Sequence, residues 1–298
     1  MDNDSKVAYK YAFLSVFLWS TVASAFKLSL EYLTPAQLLF YSCISSLFIL
    51  LIILLVQKKL HLVKDHIKKN FFMTLLLGLI NPFLYYLVLF KAYSLLPAQE
   101  AQSINYTWAL MLAFLSVVIL KQKLSFSDIL AGIICYFGVL VISTKGSPFS
   151  LDFSSLEGMS YAFLSTILWS FYWIYNTKIK VDPLVAIFSN FLIAFPIILV
   201  YVIFTNELYA VEFQGILGAF YIGIFEMGIT FIFWLKAMQS AKNISKIANL
   251  IFISPFLSLV FIYLILKEPI YISTIIGLSM IIFGILIQQK RKNEKPTI

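Results

Sequence analysis

The sequence predicts an all-α membrane protein of ten transmembrane helices, built as two inverted five-helix repeats. Three observations carry that prediction. The 298-residue chain is 61% hydrophobic and only 12% charged, with a mean hydropathy of +0.93. A water-soluble fold of this size has too little interior for so many Leu, Ile and Phe side chains. Its apolar runs are about 20 residues long, enough for a helix to cross a hydrocarbon core. They show no period-two alternation, and backbone groups in lipid must pair internally, so helices are favoured over a barrel. Finally, "YAFLSVFLWS" at 11–20 returns as "YAFLSTILWS" at 161–170.

Taken in order, the first span is expected at 8–27. Lys6 and Lys10, an apolar run and "ASA" (23–25) imitate a cleavable secretory signal. The same core recurs in mid-chain, however, so the segment is read as a retained helix. The second span, 35–56, leads into "QKKLHLVKDHIKKN" (57–70), a basic stretch read as a solvated loop facing anionic headgroups rather than nucleic acid. Spans three to five are placed at 71–90, 98–120 and 127–144. Spans six to ten are placed at 158–177, 183–204, 214–235, 244–266 and 270–288. The short connections leave no room for a soluble catalytic or nucleic-acid-binding domain. Cys43 and Cys135 fall inside spans and read as inert thiols.

Cationic residues mark the cytoplasmic side of a membrane protein. With the N-terminus inside, only Lys27, Lys91, Lys145 and Lys267 of the 22 Lys and Arg lie on the far side. The net charge of +8 therefore reports topology rather than an anionic partner, and both termini are expected in the cytoplasm. Five spans separate the two copies of the repeated decapeptide. Five is odd, so the second copy enters from the opposite face. Asp152 and Glu157 precede it where Lys6 and Lys10 precede the first. "FKA" (90–92) and "LKA" (235–237), with Gly132 and Gly277, are weaker echoes. The halves are expected at 1–146 and 147–298. Inverted repeats of this kind build secondary transporters, with the substrate held between halves near the midplane.

Polar side chains in hydrocarbon are costly unless paired or facing a wet cavity, so their positions point to the interior. Glu226 stands mid-way along span 8 between Gly223 and Gly228, small residues that permit close helix approach. The repeated Lys-Ala pair places Asn81 opposite it in span 3, with Tyr85 one turn on and on the same face. In span 4, Gln102, Asn105 and Tyr106 share a face, and Glu100 and Trp108 accompany them. In span 6, Trp169, Trp173 and Asn176 share a face beside Tyr172, and Trp19 is the span 1 copy of Trp169. Span 9 adds Asn249 and the helix-distorting Pro255. The structural alternatives are interhelical hydrogen bonds for the amides, packing or an interfacial belt for the rings, and a buried structural acid for Glu226. A carboxyl at that depth is also suited to loading and releasing a proton during alternating access.

Four stretches carry a family resemblance: "LWSTVASAFK" (18–27), "QEAQSINYTW" (99–108), "LWSFYWIYNTK" (168–178) and "SPFLS" (254–258). With ten spans in two halves, the chain resembles the EamA branch of the drug/metabolite transporter superfamily, and within it the YddG-type aromatic amino acid exporters. Span 4 of those exporters carries Asn-Tyr-x-Trp-Pro with a glutamate five residues before the Asn. Asn105, Tyr106, Trp108 and Glu100 match, whereas Ala109 replaces the proline. Without that helix breaker, span 4 is expected to run straighter. The resemblance implies a central cavity lined by spans 1, 3, 4, 6, 8 and 9, including Tyr85, Tyr106, Trp108 and Trp169. It also implies outward movement of metabolites across the bacterial inner membrane.

The function expected is secondary transport of small metabolites, amino acids and especially aromatic ones, by alternating access. Aromatic walls suit rings, while amides and Glu226 suit an ammonium or carboxylate. A cage of Trp19, Trp169 and Trp173 suits instead a choline-like or multidrug organic cation. A lipid scramblase or membrane assembly factor is the non-transport alternative. An intramembrane enzyme is disfavoured: His61 and His66 both lie in the basic stretch, and Asp128, Asp152 and Asp182 sit at span ends. No G-x-x-x-x-G-K-[ST] occurs, so nucleotide is not the obvious energy source. The expected partners are a small-molecule substrate, membrane lipids and possible coupling protons; no cofactor, metal or nucleic acid is expected.

Overall fold

Thr34 opens the second helix as a capping box. Its side chain accepts the Gln37 N–H at 3.2 Å while Gln37 Oε1 accepts the Thr34 N–H at 3.0 Å, and Pro35 takes the first helical turn. Asp182 does the same work in the second half, accepting the Leu184 N–H at 2.9 Å ahead of Pro183. Equivalent helices thus start on equivalent chemistry.

The computed structural model describes residues 3–119, 121, 126–149, 153–176, 181–240, 247 and 249–292. Among them there is no strand. The described helices form ten rods: α1 (Asn3–Leu30), α2 (Pro35–Val56), α3 (Leu60–Leu95), α4 (Ala98–Ile119), α5 (Phe126–Ser143), α6 (Leu156–Asn176), α7 (Pro183–Phe204), α8 (Phe213–Gln239), α9 (Asn249–Leu266) and α10 (Ile272–Lys292). Six of them, α1, α2, α3, α4, α7 and α8, are long and apolar enough by themselves to cross a membrane. Phe17, Phe48, Ile133, Val200 and Phe283 expose half or more of their surface outward, as lipid-facing side chains do. The expected span limits at 120, 177 and 244 lie outside the described residues.

Two expectations change. The basic stretch 57–70 is largely helical, because Val63 and His66 bury one face of it while Lys64, Lys68 and Lys69 stay exposed. It joins the rest of α3 across a kink at Asn70 (φ −127°, ψ 29°). Span 4 does not straighten without its proline. α4 breaks between Asn105 and Trp108, where the Thr107 N–H reaches Ile104 O at 3.0 Å and the Thr107 hydroxyl donates to the same carbonyl at 2.7 Å. The hydroxyl competes for the backbone acceptor and tightens the turn.

Packing repeats across the halves. α1 lies against α8 and α9, as α6 lies against α3 and α4. α2 crosses α7 antiparallel, with Phe40 stacked on Phe195 and Leu50 clustered with Val185. α5 crosses α10 antiparallel: a Cβ on Gly138 would come within 2.6 Å of Gly277 O, and one on Gly284 within 2.9 Å of Ala131 O. Gly78 on α3 presses on Asn190 of α7, and Gly223 on α8 presses on Ser45 of α2. Both pairs differ by 145 in number, the offset of the Lys-Ala echo. The same offset relates two π-helical turns, Leu79–Leu84 in α3 and Ile222–Ile229 in α8. The chain is therefore an all-α membrane protein of two inverted five-helix repeats.

Candidate functional site

A cavity of about 560 Å³ lies between the repeats, lined from α1, α3, α4, α6, α8, α9 and α10. All five tryptophans of the chain, Trp19, Trp108, Trp169, Trp173 and Trp234, reach its wall. Trp169, copied from Trp19 by the duplication, is the hub. It stacks on Tyr85 at 4.6 Å (27°) and on Tyr172 at 5.5 Å (21°). Trp108 and Trp173 meet it edge-on at 6.5 and 5.9 Å, and Phe231 at 6.2 Å. Trp19 completes the opposite wall, 5.7 Å from Phe231 and 5.5 Å from Trp234. Rings at these spacings hold one another in place.

Glu226 is the one acidic side chain on the wall among the described residues, and no described Lys, Arg or His joins it there. The Tyr86 hydroxyl donates to its Oε1 at 3.2 Å, and the Trp19 indole stands beside the same carboxyl. Oε2 has no hydrogen-bonding partner. A carboxyl with one free oxygen in an aromatic chamber can hold a cationic group or a proton.

The amides of α4 divide between wall and frame. Asn105 donates to Ser165 Oγ at 3.0 Å, tying α4 to α6. Gln102 accepts the Ser258 hydroxyl at 2.6 Å and reaches Pro255 O at 3.4 Å, tying α4 to α9. Both line the cavity beside Tyr106. Gln102 has thus committed its polar atoms to the frame, the interhelical role weighed above.

Of the twelve residues singled out from sequence, nine meet on this wall: Trp19, Tyr85, Gln102, Asn105, Tyr106, Trp108, Trp169, Trp173 and Glu226. Asn81 does not. It is buried behind the cavity, against Tyr172, in an extended conformation (φ −142°, ψ 115°) inside its π turn. The shared face expected for Asn81 and Tyr85 assumed regular helical period, which the π turn breaks. Asn176 lies at the end of α6, beyond the cavity. The side chain of Asn249, like that of Asp128 and like Asp152, lies outside the described residues. Phe231 and Trp234 went unrecognised. Phe231 is five residues past Glu226, off its face in a regular helix, and the wider π turn brings it round. Trp234 stands one repeat offset of 145 from Leu89, and both line the cavity.

The arrangement agrees with comparison to known proteins. The model of the EamA-like transporter family matches residues 6–144 and again 156–288. The chain belongs to the EamA-like transporter family. Among its relatives, an uncharacterized transporter of Bacillus subtilis, YoaV, is 25% identical over 241 residues, covering 79% of this chain and 80% of that one. An uncharacterized transporter of Archaeoglobus fulgidus is 22% identical over 285 residues, covering 94% and 97%. A solved crystal structure shares the EamA-like fold with a TM-score of 0.68 at 18% identity, covering 97% of this chain and 99% of the other. The family match falls on both halves, as the internal packing does.

Proposed function

We propose that this EamA-like protein is a secondary transporter that exports small ring-bearing metabolites by alternating access, with aromatic amino acids the favoured class. The observation that carries the reading is the chamber of five tryptophans around one carboxyl, set between two repeats that can rock about it. Rings of a substrate would stack on Trp169 and Trp19, and the Glu226 carboxyl would hold its ammonium group. Asn105 and Tyr106 would orient it, while Gln102 would keep α4 and α9 in register. Glu226, the one acidic side chain on the wall among the described residues, favours one second reading, a planar or quaternary organic cation held by cation–π attraction. Glu226 would also carry the coupling proton in either case. The protein would sit in a bacterial inner membrane with both termini cytoplasmic, act without cofactor and perform no covalent chemistry.

Two measurements test this. Metabolites released by cells overproducing the protein, compared with cells lacking it, should be enriched in aromatic amino acids. In proteoliposomes, tryptophan should compete with that substrate better than choline does. Stronger competition by choline selects the organic cation. Lipid flipping without any solute flux removes both readings.

A further inference from the structure

Asn81 and Asn190 are not explained by a cavity they do not reach. Both are buried, at 4% and 0% exposure, where an amide without a partner is heavily penalised. Asn81 Oδ1 and both polar atoms of Asn190 nevertheless make no hydrogen bond. The hydroxyl of Tyr172, itself 4% exposed, stands beside both amides. Three oxygen-bearing side chains from α3, α6 and α7 thus meet at one place, and both amide oxygens there are left without a donor.

The backbone supplies further acceptors. The segment of α3 that follows the kink at Asn70 ends at Gly78, just before Asn81, with its negative carbonyl end there. Pro82 has no N–H to return to that turn, and Asn81 beside it is extended. Gly78 lets the α7 backbone approach so closely that a Cβ would come within 2.6 Å of Asn190 O. An interrupted helix whose carbonyl end meets amide oxygens is the way secondary transporters hold a monovalent ion.

We infer that Asn81 Oδ1, Asn190 Oδ1 and the Tyr172 hydroxyl, with a carbonyl near Gly78 that Pro82 has no N–H to serve, form a Na⁺ site in the seam between α3, α6 and α7. Every donor is a hard, neutral oxygen. Ca²⁺ and Mg²⁺ sites recruit carboxylates, and the Glu226 carboxyl lies on the cavity wall, which neither Asn81 nor Asn190 reaches. Asn81 belongs to the first repeat, whereas Tyr172 and Asn190 belong to the second. An ion there ties the repeats together one layer behind the cavity. Tyr172 stacks on Trp169, so occupancy is transmitted to the tryptophan wall.

The test needs no metabolite. Purified full-length protein in detergent is titrated with NaCl against N-methylglucamine chloride at constant ionic strength, following tryptophan fluorescence and retention of radioactive sodium. A saturable response to Na⁺ but not to K⁺ is expected. Asn190→Ala and Asn81→Ala should weaken it by about ten-fold or more, as removal of ligands or their supports does. Asn190→Asp, which keeps an oxygen and adds a charge, should tighten it, and Glu226→Gln should leave it in place. No saturable sodium binding, an equal response to K⁺, or a response surviving both alanine variants overturns the site. If the alanine variants do not fold, Asn190→Asp decides: unchanged sodium affinity in that variant also overturns it. Because binding is read without transported solute, failure here leaves the transport reading standing, and failure of transport leaves the sodium signal intact.

Discussion

Trp169 is held by five neighbouring rings, and its substitution separates packing from recognition. Trp169→Ala removes a large buried side chain from the hub, with an expected stability loss of about 3–5 kcal/mol in a thermal or denaturant melt. Trp169→Phe keeps a ring against Tyr85 and Tyr172, so the protein should remain folded while substrate affinity falls. Glu226 is tested by isosteric replacement. Glu226→Gln keeps the bond from Tyr86 but cannot carry a titratable charge. Transport by this variant should lose its dependence on pH; an unchanged profile in proteoliposomes would remove Glu226 from proton coupling. Residue chemistry of this kind was legible in the sequence, since an acid or a Trp in an apolar run has few reasons to be there. Which Asn faces lumen and which faces frame was not legible, because both readings cost the same until neighbours are known.

At the scale of the element, close approach and broken period matter most. A Cβ on Gly223 would collide with Ser45 Oγ and the Ser42 carbonyl across the α2–α8 contact. Backbone cannot swing away as a side chain does, so Gly223→Ala should lower stability by about 1–3 kcal/mol. Gly132→Ala should cost less, because its Cβ would meet only the tip of the Phe114 ring at 3.0 Å. Thermal melts of the two variants check the order. Helix positions followed from apolar run length, which a bilayer fixes within a few residues. The π turns did not follow, nor did the break after Asn105, since one inserted residue or one back-bonded Thr leaves the hydropathy pattern unchanged. Phe231 reached the cavity, and Asn81 left it, through those local departures.

Across the whole molecule, hydrogen bonds and ring packing close one end of the cavity. Lys27 donates to Tyr93 O and Leu96 O at 3.0 Å each, and Glu268 accepts the Ala98 N–H at 3.0 Å, joining α1, the α3–α4 turn and the α9–α10 turn. Phe26 and Tyr93 pack edge to face beneath them at 5.1 Å. At the other end the wall reaches Ser116 and Met238, near the ends of α4 and α8. Phe26 is buried and Met238 half-buried, so a thiol reagent should modify Met238→Cys faster than Phe26→Cys. Glu268→Ala, by freeing the start of α4, should narrow that difference. Equal rates in the parent background would show that the contacts of Lys27 and Glu268 do not shield their end.

The sequence by itself determined the membrane class, the ten helices, the duplication and its inversion, because hydropathy, segment length and cation placement are set by the bilayer rather than by contacts within the chain. It also collected nine of the cavity residues, because polar and bulky aromatic groups in lipid-length helices have to converge somewhere. Only the tertiary structure decided which oxygens are left without partners, which tryptophan is the hub, and that Asn81 lies beside Tyr172 rather than in Glu226's chamber. Those outcomes depend on helix rotation and on backbone breaks of a single residue. Rotation is fixed by packing between halves more than 100 residues apart, as at Gly78 and Asn190, and no local pattern of letters carries it.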